Sequence, residues 1–163
     1  MFWIVEGKLA GRAGPKFAPW DLQELRHAGI NNILSLATDL FDIEQARAVG
    51  IDKTCIPLSD VTPPDNQGIE VCRQLLPLTF QYLTEQLKFN KTVLVHCGAG
   101  FDRTGLVLSY FLTQQHKLDA NSAIARVRQL QPKALSAPGW ESMAKQLFSE
   151  VTPPANFGEE VSR

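Results

Sequence analysis

Short apolar runs alternate along the chain with longer stretches of helical spacing. Phe2–Val5 reads as a strand, and Lys8-Leu9-Ala10, flanked by Gly7 and Gly11, as its hairpin partner. Pro19-Trp20-Asp21 opens a helix to about Ala28, stopped by Gly29. Ile30–Leu36 has the character of a buried strand. Asp42–Val49 is helical and ends at Gly50; Asp52–Ile56 is another strand, ended by Pro57. The proline-bearing segment Leu58–Gly68 reads as a loop. Ile69–Phe89 carries Val71, Leu75, Leu78, Tyr82 and Leu83 at helical spacing. Thr92–Val95 is a short buried strand. Thr104–His116, Ala120–Leu130 and Trp140–Val151 complete the set as helices, the first apolar enough to be central. This order predicts an α/β fold with a mostly parallel central sheet of about four to five strands flanked by helices. Residues 1–151 are expected to form one domain. Residues 152–163, with two prolines and no periodicity, are expected to be a mobile tail.

Bulk properties narrow the classes. The chain has 163 residues, 44% hydrophobic and 20% charged, with a net charge of −1 and no run of like charges. That balance gives no reason to expect nucleic acid or an acidic membrane as partner. No apolar run approaches the roughly 18 residues of a membrane span. The start of the chain lacks the basic and apolar regions of a signal peptide, so a cytoplasmic monomer without a membrane anchor is the expectation. The three cysteines, Cys55, Cys72 and Cys97, are irregularly spaced and suit neither a disulfide framework nor, with only three histidines, a metal site.

Candidate chemistry concentrates in Val93-Leu94-Val95-His96-Cys97-Gly98-Ala99-Gly100-Phe101-Asp102-Arg103-Thr104-Gly105. A buried strand delivers Cys97 to the carboxyl edge of the sheet, where open α/β sheets place ligands. Gly98, Ala99 and Gly100 let the backbone curl, so that amides from about 98 to 103 form an anion nest. The following helix adds its positive end, and Arg103 a planar fork matched to two phosphate oxygens. The same field favours the thiolate of Cys97, the nucleophilic form. Thr104 is placed to hydrogen-bond that thiolate. His96, on the strand side, is expected to orient the loop and not to transfer protons.

The stretch from Val95 to Gly105 resembles the signature of the cysteine-dependent protein tyrosine phosphatases. The flanks resemble the small atypical dual-specificity phosphatases of that superfamily. They include Phe2–Gly11 with Pro15, Ile33-Leu34-Ser35-Leu36, Ile56-Pro57…Asp60…Pro63-Pro64, and Ala123-Ile124…Arg128…Pro132. The resemblance spans about residues 2–148. It implies a protein tyrosine phosphatase-like fold and hydrolysis through a phosphocysteine, with no cofactor or metal. The implied substrate is phosphotyrosine, or phosphoserine and phosphothreonine, in a protein.

Such a reaction needs a proton for the leaving oxygen. The loop Leu58–Asp65 offers Asp60 and Asp65; the resemblance implies Asp60, while Asp65 also fits a helix N-cap. Asp102 stands where many relatives carry a small residue and is similar, locally only, to phosphoinositide phosphatases of the myotubularin and Sac types. It reads either as a modifier of substrate choice or as a solvated carboxylate. Phe101 suits the pocket mouth or a packing role, and Arg128 and Lys133 suit attraction of acidic substrates. Gln131 replaces a second arginine of relatives, and Trp140 lies near their water-orienting glutamine. Cys72 reads as packing, Trp3 and Trp20 as core, and a Cys55–Cys97 disulfide is conceivable. The competing readings are a small phosphate-ester or phosphoinositide phosphatase, a phosphate-binding module without turnover, and sulfur transfer or arsenate reduction.

Overall fold

The computed structural model describes residues 1–38 and 42–152. The strands are β1 (Phe2–Val5), β2 (Leu9–Ala13), β3 (Asn32–Ser35), β4 (Asp52–Cys55) and β5 (Val93–Cys97). The helices are α1 (Leu22–His27), α2 (Ile43–Ala48), α3 (Asn66–Lys88), α4 (Asp102–Gln115), α5 (Ala120–Leu130) and α6 (Trp140–Glu150). The sheet order is β1-β2-β5-β3-β4. Only the β1–β2 hairpin is antiparallel; β2, β5, β3 and β4 run parallel. The expected α/β architecture with a mostly parallel sheet is the one observed.

Alternation along the central strands distributes the core. Leu34, Val93, Val95 and Cys97 face a large cluster built with α3, α4, α5 and α6. Ala10, Ile33 and Leu94 face a smaller cluster with Leu25 of α1 and Ala46 of α2. Helix α4 is buried along Thr104–Leu112, as its apolar composition predicts. Trp3 and Trp20 are not core residues: both are half-buried, packed on the margin of the smaller cluster. Among the described residues no helix is long and apolar enough to cross a membrane. Of the expected tail only Thr152 lies within the described residues.

Aspartates set most helix starts. Asp21, Asp42, Asp65 and Asp119 cap α1, α2, α3 and α5, each carboxylate accepting from one or two of the first amides. A cap of this kind contributes about 1 kcal/mol. The Asp65 cap starts α3 at Asn66, three residues before the apolar periodicity begins. Helix α4 differs. Its N-cap is Phe101, with no side-chain cap bond, so its first amides are left for another acceptor. Helix α6 likewise opens without a side-chain cap, on Gly139.

Candidate active site

Parallel pairing brings four strand ends to one edge. In register, Ala13 lies beside Cys97, His96 beside Ser35, and Ser35 beside Cys55. Each following segment contributes to one cavity of about 730 Å³: Gly14, Lys16 and Phe17 after β2, Ala37 and Thr38 after β3, Asp60 after β4, and Cys97, Gly98 and Arg103 after β5. The thiol, the guanidinium and one candidate carboxylate therefore share a pocket although up to 43 positions separate them in sequence (60 to 103).

Strand β5 continues to Cys97, two residues beyond the apolar run, and α4 starts two residues before Thr104. Only Gly98–Phe101 remain as the turn between them. Cys97 is 4% exposed at the floor of the pocket. Its Sγ accepts a hydrogen bond from Thr104 Oγ1 at 3.1 Å, and Thr104 is itself buried. Arg103 donates to the Leu36 carbonyl at 3.3 Å, which orients its fork.

The turn is pinned from β2. Gly14 N–H donates to the Gly98 carbonyl at 2.7 Å, turning that oxygen away from the pocket. A Cβ on Gly14 would lie 2.4 Å from the Cys97 carbonyl oxygen. Gly100 has φ +78°, and a Cβ there would lie 2.7 Å from the Ala13 nitrogen. Glycine is required at 100 both by the left-handed conformation and by this contact.

His96 points to the opposite sheet face, as alternation demands. It is buried edge-on to Trp20, with ring centroids 4.7 Å apart, and its Nδ1 lies 3.0 Å from the Cys97 carbonyl oxygen. Trp20 in turn donates to the Ala13 carbonyl at 2.8 Å. His96 thus supports the backbone that carries Cys97.

Asp60 is exposed and lines the pocket; Asp65 does not, and its Oδ1 accepts from Gly68 N–H at 2.7 Å. The loop between them is held by α6. Trp140 Nε1 donates to Thr62 Oγ1 at 2.9 Å, and Pro63 and Pro64 pack on Gly139. Trp140 is therefore a strut for the Asp60 loop. Asp102 turns away from the catalytic pocket: its Oδ1 accepts from Ala137 N–H at 3.2 Å, tying α4 to the segment before α6. It is neither a pocket group nor a merely solvated one.

Several other residues differ in place from the sequence reading. Arg128 is committed to Glu141 at 2.8 Å and to the carbonyls of Ala134 and Leu135, so it is not free to attract substrate. That contact also holds Glu141 below the usual carboxylate range, after the hydrogen bond from Lys145. Ala99 and Phe101 line a neighbouring groove, while their backbone amides stay in the turn between Cys97 and α4. Cys72 packs in the larger core, as the sequence reading expects, and its thiol is pushed up to about 11, chiefly by burial. Cys55 is exposed on β4, two strands from Cys97. At about 4.8 Å per strand that is roughly 10 Å, too far for the Cα separation of a disulfide. Phe17, Gly14 and Trp140 were missed as site residues. No local pattern marks them, because their contacts cross 78 to 84 positions.

Known proteins resemble this chain in sequence and in fold. The chain is 25% identical over 123 residues to the protein tyrosine phosphatase PRL-1 of Leishmania major, covering 75% of this chain and 70% of that protein. It is 25% identical over 148 residues to dual specificity protein phosphatase 19 of Mus musculus, covering 91% of this chain and 62% of that one. The crystal structure of Tk-PTP in its active form superposes with a TM-score of 0.75 at 22% identity, over 91% of this chain and 96% of that one, which shows the fold. The family model described as Swiss Army Knife protein, DSP-PTPase phosphatase domain (PTP-SAK), matches residues 1–143. The chain therefore belongs to this DSP-PTPase phosphatase family and is a small atypical dual-specificity phosphatase of the cysteine-dependent protein tyrosine phosphatase superfamily.

Proposed function

We propose that residues 1–151 form a single catalytic domain that hydrolyses phosphotyrosine in proteins, with Cys97 as nucleophile, Arg103 as phosphate clamp and Asp60 as general acid. One observation carries this reading: the Thr104-bonded thiol of Cys97, the Arg103 fork and the Asp60 carboxylate line one cavity.

In the first step the Cys97 thiolate attacks phosphorus and the P–O ester bond breaks. Asp60 passes its proton to the leaving oxygen, a contribution of roughly 10²–10⁴-fold. Arg103 and the uncapped amides from Gly98 to Arg103 hold the equatorial oxygens as charge develops on them. In the second step Asp60, now a carboxylate, takes a proton from water. The water oxygen attacks phosphorus, the P–S bond breaks, and Thr104 hydrogen-bonds the departing thiolate. A phosphoprotein substrate is supported by the names of the relatives and by the Phe17 ring, 65% exposed at the pocket mouth, where it can stack on a phosphotyrosine ring. The residue that suggested a phosphoinositide substrate, Asp102, faces Ala137 and gives that alternative no support.

The test is hydrolysis of an aryl phosphate and of phosphotyrosyl, phosphoseryl and phosphothreonyl peptides, beside phosphoinositides, by wild type and Cys97→Ser. Loss of all turnover in the variant, with phosphotyrosyl peptide the preferred wild-type substrate, is expected. Full activity of Cys97→Ser overturns the mechanism, and a faster rate on phosphoinositide overturns the substrate.

A further inference from the structure

The 134–140 segment touches both halves of the catalytic pocket. One end is docked on the start of α4. Leu135 N–H donates to the Phe101 carbonyl at 3.4 Å, and Ala137 N–H donates to Asp102 Oδ1 at 3.2 Å. A Cβ on Gly105 would lie 3.0 Å from the Ala134 Cβ, so helix and segment are in close contact. The other end meets the Asp60 loop, where Gly139 packs on Pro63 and Pro64 and Trp140 Nε1 donates to Thr62 Oγ1 at 2.9 Å. Between the ends the segment is held in shape. Arg128 donates to the carbonyls of Ala134 and Leu135. Leu135 is buried with φ +56°, a left-handed conformation that a side chain disfavours and that its surroundings must maintain.

These hydrogen bonds join into one line. Asp102 Oδ1 accepts from Ala137 N–H, and the Ala137 carbonyl accepts from Trp140 N–H at 3.2 Å. The Trp140 indole donates to Thr62 Oγ1, and Thr62 Oγ1 donates to the Asp60 carbonyl at 3.4 Å. The line begins at the residue before Arg103, the phosphate clamp, and ends at the acid. Proton transfer needs hydrogen-bond reach of about 2.6–3.2 Å, and a misplacement of about 1 Å can cost about 10²-fold. Asp60 stands on an exposed loop, so its distance from a bound phosphate depends on what anchors that loop.

We propose that Asp102 is a positioning residue for the proton-transfer step. Its carboxylate anchors the 134–140 segment on the phosphate-binding helix, and through Trp140 and Thr62 that segment sets Asp60 within reach of the leaving oxygen. This deepens the phosphatase reading and rests on Asp60 being its acid. The line carries no proton; it fixes backbone. The role asks of Asp102 a single acceptor oxygen, which the amide of asparagine also supplies and the methyl of alanine does not.

The test is kcat/KM on a series of aryl phosphates of graded leaving-group pKa, for wild type, Asp102→Ala, Asp102→Asn, Thr62→Val and Asp60→Asn. The readout is the ratio of the rate on the best leaving group to that on the poorest, in which differences in the amount of folded enzyme cancel. Asp102→Ala should widen this ratio by about tenfold. Thr62→Val, a change of equal size at the exposed far end of the line, should widen it by several-fold and tests the line without touching α4. Asp102→Asn should bring the ratio back to within about twofold of wild type. In an Asp60→Asn background, Asp102→Ala should leave the ratio where Asp60→Asn alone puts it, because no acid is left to position. An unchanged ratio in either Asp102→Ala or Thr62→Val overturns the role. So does a ratio in Asp102→Asn as wide as in Asp102→Ala, or a further widening in the double variant. If Asp60→Asn itself slows the whole series evenly, the acid assignment fails first, and the positioning role with it.

Discussion

The Cys97 loop and the Asp60 loop face each other across one pocket but are built on opposite terms. The first buries its thiol and is tied at each of these residues: Gly98 to Gly14, Cys97 to Thr104, Arg103 to Leu36, Asp102 to Ala137. The second keeps Asp60 in solvent and is braced behind the carboxylate, by Trp140 on Thr62 and Gly139 on the proline pair. A transition-state binder gains from donors that need no reorganisation, whereas a group that gives and takes a proton must exchange it with water. The difference teaches where rigidity is spent. Under the proposed roles it surrounds the phosphate site, and the carboxylate of Asp60 is fixed only well enough to reach it.

This contrast can be broken from either side. Arg103→Lys keeps the charge and removes the planar fork, so kcat/KM on an aryl phosphate should fall by about 10²–10³-fold while the melting temperature barely moves. Asp60→Asn should cost about 10²-fold on a phosphotyrosyl peptide and far less on an aryl phosphate with a good leaving group; a leaving-group series that slows evenly would remove Asp60 as the acid. Gly100→Ala places a methyl 2.7 Å from the Ala13 nitrogen at φ +78°. A strain of about 1–3 kcal/mol should lower the melting temperature by roughly 2–10 °C, together with phosphate affinity. Trp140→Phe preserves the buried ring and deletes the bond to Thr62, for about 1 kcal/mol of stability. Its effect on rate should mimic a weak Asp60 defect, larger for poor leaving groups, with binding of phosphate unchanged.

The sequence made the first loop legible and the second only partly so. Val93–Gly105 is contiguous, so strand, turn, thiol and arginine declare themselves in one reading, and the parallel sheet that carries them follows from alternating elements. Even there the boundaries shifted, because Cys97 still pairs with Ala13 and α4 begins at Asp102. Resemblance pointed to Asp60 and the N-cap pattern set Asp65 aside; in the structure Asp65 caps α3 through Gly68 and Asp60 lines the pocket. The roles of Asp102 and Arg128 were hidden because each is decided by partners on the 134–141 segment, which no periodicity announces. Phe17 and Trp140 were hidden for the same reason. Each acts across the fold, on a loop some eighty positions away.

The central claim is that phosphate passes through the sulfur of Cys97. Rapid acid quench during turnover of a phosphotyrosyl peptide, followed by peptide mapping, tests it directly. The account predicts a phosphoryl group on the Cys97 peptide, accumulating further when Asp60→Asn turns over an aryl phosphate with a good leaving group, where formation needs no acid and the water step lacks its base. A phosphoryl group on any other residue, or steady turnover with no covalent phosphate on Cys97, would contradict it.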